Sequence, residues 1–183
     1  MIDTYNVWAK VLHWAIALLV AAQIALGLWT DAAKPPESGK LLDAHVQVGV
    51  IILMLMMLRL LWRMGHAPPP ELPGTPGWQS VLAKLVHASL YAVLLVLPVS
   101  GYALWMWIGM ETRLFGVMLL PVPNLAGQDE FWRSIAGYTH EYAFYLLAGL
   151  LATHVGAALW HQFIRRDNLV GRRMLGFKSS PRP

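Results

Sequence analysis

The residues of this chain that could do chemistry within a membrane are histidines. Five fall inside long apolar stretches, namely His13, His45, His87, His140 and His154. A polar imidazole is unfavourable in a lipid-spanning helix, so an intramembrane histidine indicates a functional site. Imidazole nitrogen is also a frequent ligand of transition metals. Five such residues in four apolar segments predict a cofactor that imidazole binds from two sides.

The composition is that of an integral membrane protein. Hydrophobic residues make up 57% of the 183 residues and charged residues 13%, whereas a soluble domain has about 25% charged residues. The length fits one membrane domain over 1–183. The net charge of +4 does not predict nucleic acid as a partner, because the basic residues flank apolar segments. The absence of cysteine excludes disulfides, iron–sulfur clusters and covalently attached c-type haem.

Four segments are long enough to span a bilayer, which requires ~20 mostly apolar residues. They lie near 8–29, 41–62, 81–107 and 135–163. Together they predict an all-α, up-down-up-down four-helix bundle surrounded by membrane lipid. A proline-rich turn over 65–77 joins the second and third spans, and the longest loop, 108–131, joins the third and fourth.

The distribution of lysine and arginine predicts that both termini are cytoplasmic. In that orientation ten basic residues lie inside and four lie outside, as the positive-inside rule requires. The inside set is Lys10, Arg59, Arg63, Lys84, Arg165, Arg166, Arg172, Arg173, Lys178 and Arg182. The outside set is Lys34, Lys40, Arg113 and Arg133.

Fourteen residues separate His140 from His154 in the fourth span. Over this distance a helix rises ~21 Å and returns to within about 40° of the same face. The two imidazoles therefore share one face at two depths, as two haems stacked through the membrane would require. Helix direction places His45 with His140 at the outer level. It places His13 and His87 with His154 at the inner level, where depth alone does not choose the ligand pair.

The same spacing singles out one further residue in each of the other spans. Fourteen positions after His45, His13 and His87 stand Arg59, Gly27 and Gly101. The Arg59 guanidinium would suit a haem propionate at the inner level. A glycine that faces a haem plane leaves room for the ring, although glycine is also common in membrane helices.

Two other interpretations of the histidines were weighed against haem. A lone buried histidine is more often a hydrogen-bonded core residue than a ligand, but this explanation weakens for five residues at matched depths. Zinc is the competing metal, and zinc sites in membranes usually recruit carboxylates as well. The only carboxylates inside these spans are Glu141 and Asp43, toward the outer ends.

Eight short motifs extend along nearly the whole chain. They are Leu12-His13-Trp14, His45-Val-Gln-Val-Gly49, Arg59-Leu-Leu-Trp-Arg63, His87-Ala-Ser-Leu-Tyr91, Leu97-Pro-Val-Ser-Gly101, His140-Glu141, His154-Val-Gly-Ala-Ala-Leu-Trp-His161 and Arg166-Asp167-Asn168. In this combination the chain resembles the bacterial cytochrome b561 family, small di-haem, quinone-linked cytochromes of the inner membrane. The resemblance implies two haem b, with His13 and His154 as ligands of the inner haem and His45 and His140 as ligands of the outer haem.

The resemblance implies that His87 is not a metal ligand. Its imidazole could contact a propionate or a quinone, or could be a buried hydrogen-bonded side chain. His161 could serve an inner quinone site with Arg165 or Arg166, or lie at the membrane interface. His66, beside the proline-rich turn, is expected to be a loop residue.

The resemblance also implies an activity, because one member of the family oxidises superoxide and passes the electron to ubiquinone. Basic residues near the outer haem would attract the superoxide anion, and the candidates are Lys34, Lys40, Arg113 and Arg133. The alternative is an electron-carrying subunit that links quinone to a dehydrogenase, a hydrogenase or a soluble cytochrome. The loop 108–131 and the basic tail 165–182 would then be docking surfaces. A transporter or channel is disfavoured, since no internal repeat is visible.

Overall fold

The fold was analysed in a computed structural model, which describes residues 4–71, 74–108, 113–114, 117–118, 129–167 and 169–175. Its helices are α1 (Val7–Ala32), α2 (Glu37–Gly65), α3 (Gly77–Ile108) and α4 (Glu130–Leu159). All four are long and apolar enough to cross a membrane. The first three each cover one predicted span. Helix α4 begins five residues before the predicted start at 135 and ends at Leu159, and the π-helical turn that follows it contains the predicted end at 163.

Shorter elements complete the described part of the chain. Two π-helical turns follow α4, at Trp160–Arg165 and Gly171–Leu175. In the third connection, strand β1 (Arg113–Leu114) pairs antiparallel with β2 (Val117–Met118). Residues 119–128 of the predicted loop 108–131 lie outside the described residues. The proline-rich turn matches its prediction, because α2 ends at Gly65 and α3 begins at Gly77.

The helices form the predicted up-down-up-down bundle. Helix α1 packs on α2, α2 on α3, and α3 on α4. At one end of the bundle Gly27, late in α1, lies against His45, early in α2. At the same end Gly101, late in α3, lies against His140, early in α4. Neighbouring helices therefore run in opposite directions, and the beginning of α1 lies with the end of α4 at the other end.

The hydrophobic core lies midway between the two histidine levels. Its buried side chains include Val20, Ile52, Val93 and Leu147, one from each helix. Leu147 is seven residues from both His140 and His154. This apolar layer excludes water from the middle of the bundle and leaves the two ends for polar side chains.

Candidate haem-binding sites

The outer level brings together the two histidines that the sequence predicts there. The ring centroids of His45 and His140 are 6.2 Å apart, with an interplanar angle of 73°. With metal–nitrogen bonds of about 2 Å and ring radii of about 1 Å, two axial imidazoles on one metal have centroids ~6 Å apart. The spacing of this pair is therefore that of two ligands on opposite sides of one metal.

His140 is held by the α3 segment around Pro98. Its Nδ1 lies 3.0 Å from the carbonyl oxygen of Leu97 and 3.2 Å from Oγ of Ser100. With Nδ1–H donating to the Leu97 carbonyl, the other ring nitrogen, Nε2, is the one available to a metal. A Cβ atom built on Gly101 would lie only 2.8 Å from Cε1 of His140. Gly101 is thus the residue that lets the imidazole approach α3.

Gly27 has the corresponding position beside His45. A Cβ atom there would lie 3.2 Å from Cε1 of His45. The fourteen-residue spacing therefore identified two glycines that accommodate imidazole rings at the outer level. That they also face a haem plane stays a prediction.

The inner level brings three imidazoles together. The His13 and His154 ring centroids are 6.2 Å apart, the same separation as in the outer pair. His87 and His154 are closer, at 5.3 Å. The shorter separation leaves too little room for a metal with two axial bonds of about 2 Å each. Distance therefore favours His13 as the partner of His154, a choice that depth alone left open.

Arg59 lies at the inner level, as its spacing from His45 predicts. Its charge acts on His13, His87 and His154. Its Nε donates to the Tyr91 hydroxyl at 3.0 Å. Its Nη1 is buried and has no hydrogen-bond partner among the described residues. A buried cation with a free donor fits an anionic group such as a haem propionate.

Tyr91 was not singled out from the sequence. It stands four residues after His87, so both side chains project from one face of α3. That spacing was the available signal for it. Within the described residues, no three His, Cys, Asp or Glu side chains are arranged to hold one metal ion.

Comparison with known proteins shows the family of this chain. The profile of the family described as prokaryotic cytochrome b561 matches residues 4–177. The chain belongs to the prokaryotic cytochrome b561 family. It is therefore a multi-pass bacterial membrane protein of electron transfer, in a family that binds b-type haem.

Three relatives show how far the similarity extends. Cytochrome b561 homolog 2 of Escherichia coli is 30% identical, over 97% of this chain and 94% of its own length. Cytochrome b561 homolog 1 of the same organism is 32% identical, over 89% and 92%. A protein of Yersinia pestis named probable superoxide oxidase CybB is 28% identical, over 89% and 91%.

His161 lies at the inner end of this cytochrome b561 fold, in the π-helical turn that follows α4. Its Nδ1 is 2.5 Å from Oδ2 of Asp167. Asp167 also lies 3.7 Å from Nε of Arg165, whose guanidinium stacks on Trp160 at 5.8 Å. Asp167 is a partner that the sequence analysis did not assign. It is six residues from His161, a separation that only the left-handed turn at Arg166 brings into contact.

The remaining predicted residues lie at the surface. Lys34 and Lys40 are exposed, and Arg133 forms a 2.8 Å ion pair with Glu130. His66 follows the end of α2 and stacks on Trp62, with ring centroids 4.0 Å apart. The side chains of Arg113 and Arg172, and all of Lys178 and Arg182, lie outside the described residues.

Proposed function

We propose that this chain binds two haem b, one at each end of the bundle. His45 and His140 would hold the outer haem, and His13 and His154 the inner one. The observation that carries the proposal is the separation of 6.2 Å between ring centroids in both pairs. When bound, bis-imidazole haem exchanges single electrons and has no open axial position for oxygen.

The residues of the chain have separate tasks in this proposal. A hydrogen bond from Nδ1–H to the Leu97 carbonyl would fix the tautomer of His140 and leave Nε2 to bind the haem iron. Arg59 offers its buried Nη1 to a propionate. The apolar layer around Leu147 keeps water out between the two levels. The ligand pairs are about 21 Å apart along α4, from the rise of its helix.

We further propose that the protein transfers electrons from superoxide to ubiquinone. Two superoxide anions would each lose one electron and become oxygen. One quinone would gain both electrons and two protons and become quinol. The relative named probable superoxide oxidase supports this reaction. The exposed Lys34 and Lys40 beside the outer site would raise the local concentration of the anion.

The inner end supplies a candidate quinone contact. Because Asp167 engages Nδ1 of His161, Nε2 is left for a quinone carbonyl. His161→Ala should raise the KM for quinone and leave the reduction of haem by superoxide unchanged. His66→Ala, an exposed histidine on the same side, is the matched control. An unchanged KM in His161→Ala would remove His161 from the quinone site.

The activity is tested with purified protein alone. Superoxide is generated enzymatically, haem reduction is followed in the α band, and quinol formation is measured with a soluble ubiquinone. Reduction faster than spontaneous dismutation, followed by quinol formation, is the expected result. Loss of both signals in His45→Ala would show that the outer haem is the entry point. Failure of superoxide to reduce wild-type haem would exclude the reaction.

The second candidate is an electron-carrying subunit for a partner dehydrogenase, hydrogenase or soluble cytochrome. The relatives that are named only as cytochrome b561 homologs favour it. In the same assay such a subunit would be inert toward superoxide but would be reduced by quinol. The two functions therefore give opposite results for superoxide.

A further inference from the structure

The two proposed outer ligands are held in different ways. The His140 ring donates directly to the Leu97 carbonyl, 3.0 Å away. His45 Nδ1 is buried and makes no hydrogen bond of ordinary geometry within the described residues. Gln23 stands four residues before Gly27, as Leu97 stands four residues before Gly101.

Gln23 also contacts His45 through its side chain. The amide Nε2 donates to the backbone carbonyl of His45 at 2.8 Å, from α1 to α2 across the helix interface. In helix α2 that carbonyl already has the amide of Gly49 as its i+4 partner, so Gln23 adds a second donor. Gln23 is therefore joined to the backbone of His45, whereas Nδ1 of the His45 ring has no hydrogen-bond partner among the described residues.

The approach of the Gln23 amide depends on Gly49. This glycine is buried, and a Cβ atom built on it would lie 3.2 Å from Nε2 of Gln23. An alanine would have to displace the amide by a few tenths of an ångström, and the donor would then lie further from the His45 carbonyl. A polar amide within an apolar helix interface is unfavourable unless it is hydrogen-bonded. Oε1 of Gln23 is buried without a partner among the described residues, so the bond from Nε2 to the His45 carbonyl is the contact that points to a positioning role.

We propose that Gln23 is a positioning residue for His45, and that Gly49 makes room for its amide. The inference rests on the proposed function, because it takes His45 to be a ligand of the outer haem. Gln23 does not touch the metal. It fixes the α2 backbone at His45 and so sets the angle and distance at which Nε2 of this imidazole meets the iron. Outer-shell contacts of this kind orient a ligand and strengthen its donation to the metal.

The test compares Gln23→Met, which keeps the size of the side chain without its donor, with the wild-type holoprotein. The α band that disappears in His140→Ala is assigned to the outer haem, and the band that remains is assigned to the inner haem. Haem content, the midpoint potential of each haem and the low-spin ferric EPR signal are then measured. We expect both haems to be retained, a higher potential and altered g values for the outer haem, and an unchanged inner haem. A less firmly held imidazole stabilises ferric iron less, so the midpoint potential of the outer haem should rise.

Gly49→Ala provides an independent variant with the same expected signature. Gly149→Ala is the matched control, because a Cβ atom there meets nothing within 4 Å. In the double variant Gln23→Met/Gly49→Ala the two shifts should not add, since both remove one hydrogen bond. Additive shifts, an unchanged or lower outer potential, or an equal shift of both haems would overturn the inference. Failure of the two-haem proposal is distinguishable, because it would appear as fewer than two haems in the wild-type protein.

Discussion

At the scale of single residues, the separations between imidazoles bear on which histidines are proposed as ligands. His87 and His13 both contact His154, but only the separation of 6.2 Å between His13 and His154 accommodates a metal between two imidazoles. His87 is accordingly predicted to be a neighbour of the inner haem, near the charge of Arg59. Mutation of His87 therefore tests whether it is a neighbour or a ligand of the inner haem.

We predict that His154→Ala loses one of two haems and that His87→Ala keeps both. His154 supplies an axial bond in the proposed site, whereas His87 supplies none. The measurement is haem per protein from the pyridine haemochrome spectrum of each purified variant. His66→Ala controls for loss of any histidine at the inner end. Loss of one haem in His87→Ala, with retention in His13→Ala, would reverse the assignment.

The close contact at Gly101 gives a second prediction at this scale. In Gly101→Ala the new Cβ would lie 2.8 Å from His140 Cε1, so the imidazole must move away from the Leu97 carbonyl. We expect the outer haem to be lost or bound weakly, with the inner haem retained. Gly27→Ala should have the same effect in milder form, because its contact is 3.2 Å. Full haem content with unchanged spectra in Gly101→Ala would contradict this.

At the scale of elements, the proline-rich turn is fixed to the start of α3 by Glu71. The Ser80 hydroxyl donates to this carboxylate, and Lys84 Nζ lies 2.9 Å from it. The Ser80 hydrogen bond, followed by the contact with Lys84, lowers the pKa of Glu71 from its usual 4.5. A carboxylate with a lowered pKa stabilises the folded state above pH 4.5, and this contribution is lost as the pH falls through the lowered value.

We therefore predict that Glu71→Gln lowers the melting temperature slightly at neutral pH and that the difference shrinks in acid. The effect is small because the carboxylate is fully exposed. Thermal unfolding in detergent, followed by circular dichroism at several pH values, provides the measurement. Ser80→Ala, which removes the main cause of the lowered pKa, should reproduce most of the loss. A difference in melting temperature between Glu71→Gln and wild type that grows in acid would contradict the predicted pH dependence.

At the scale of the whole molecule, the contacts place the end of α1, the start of α2, the end of α3 and the start of α4 at one end of the bundle. The proline-rich turn lies at the other end. The excess of lysine and arginine assigns the latter end to the cytoplasm. The basic C-terminal segment joins that end, because the Tyr5 amide donates to the Arg173 carbonyl at 3.3 Å. Arg173 in turn donates to the Pro70 carbonyl.

This orientation is a prediction that fusion proteins can test. Alkaline phosphatase, which is active only outside the bacterial inner membrane, should be active when fused after Pro36. It should be inactive when fused after Pro70 or after Arg182. The fusions after Pro36 and after Pro70 lie on opposite sides of α2 in the sequence, so each is a control for the other. Activity after Arg182 together with inactivity after Pro36 would invert the protein and exchange the inner and outer haems.

Much of the fold could be predicted from the sequence, because a bilayer imposes a length and a composition on each span. All four helices lie where the apolar segments indicate, and the turn from Gly65 to Gly77 follows from its prolines. The ends of α4 were less predictable. It begins at Glu130, within polar sequence, and continues into a π-helical turn that apolar periodicity does not signal.

The sequence by itself determined the two histidine levels, since rise and turn per residue are fixed in a helix. Spacing alone could relate His140 to His154 within one helix and could place His45, Gly27 and Gly101 at matching depths. Only the tertiary structure decided which side chains meet across helices. The separation of His13 from His154 and the contact of Gln23 with His45 depend on helix rotation and packing. The Asp167 partner of His161 depends on the left-handed turn at Arg166. Helix packing depends on all interfaces of the bundle together, so no short sequence pattern predicts it.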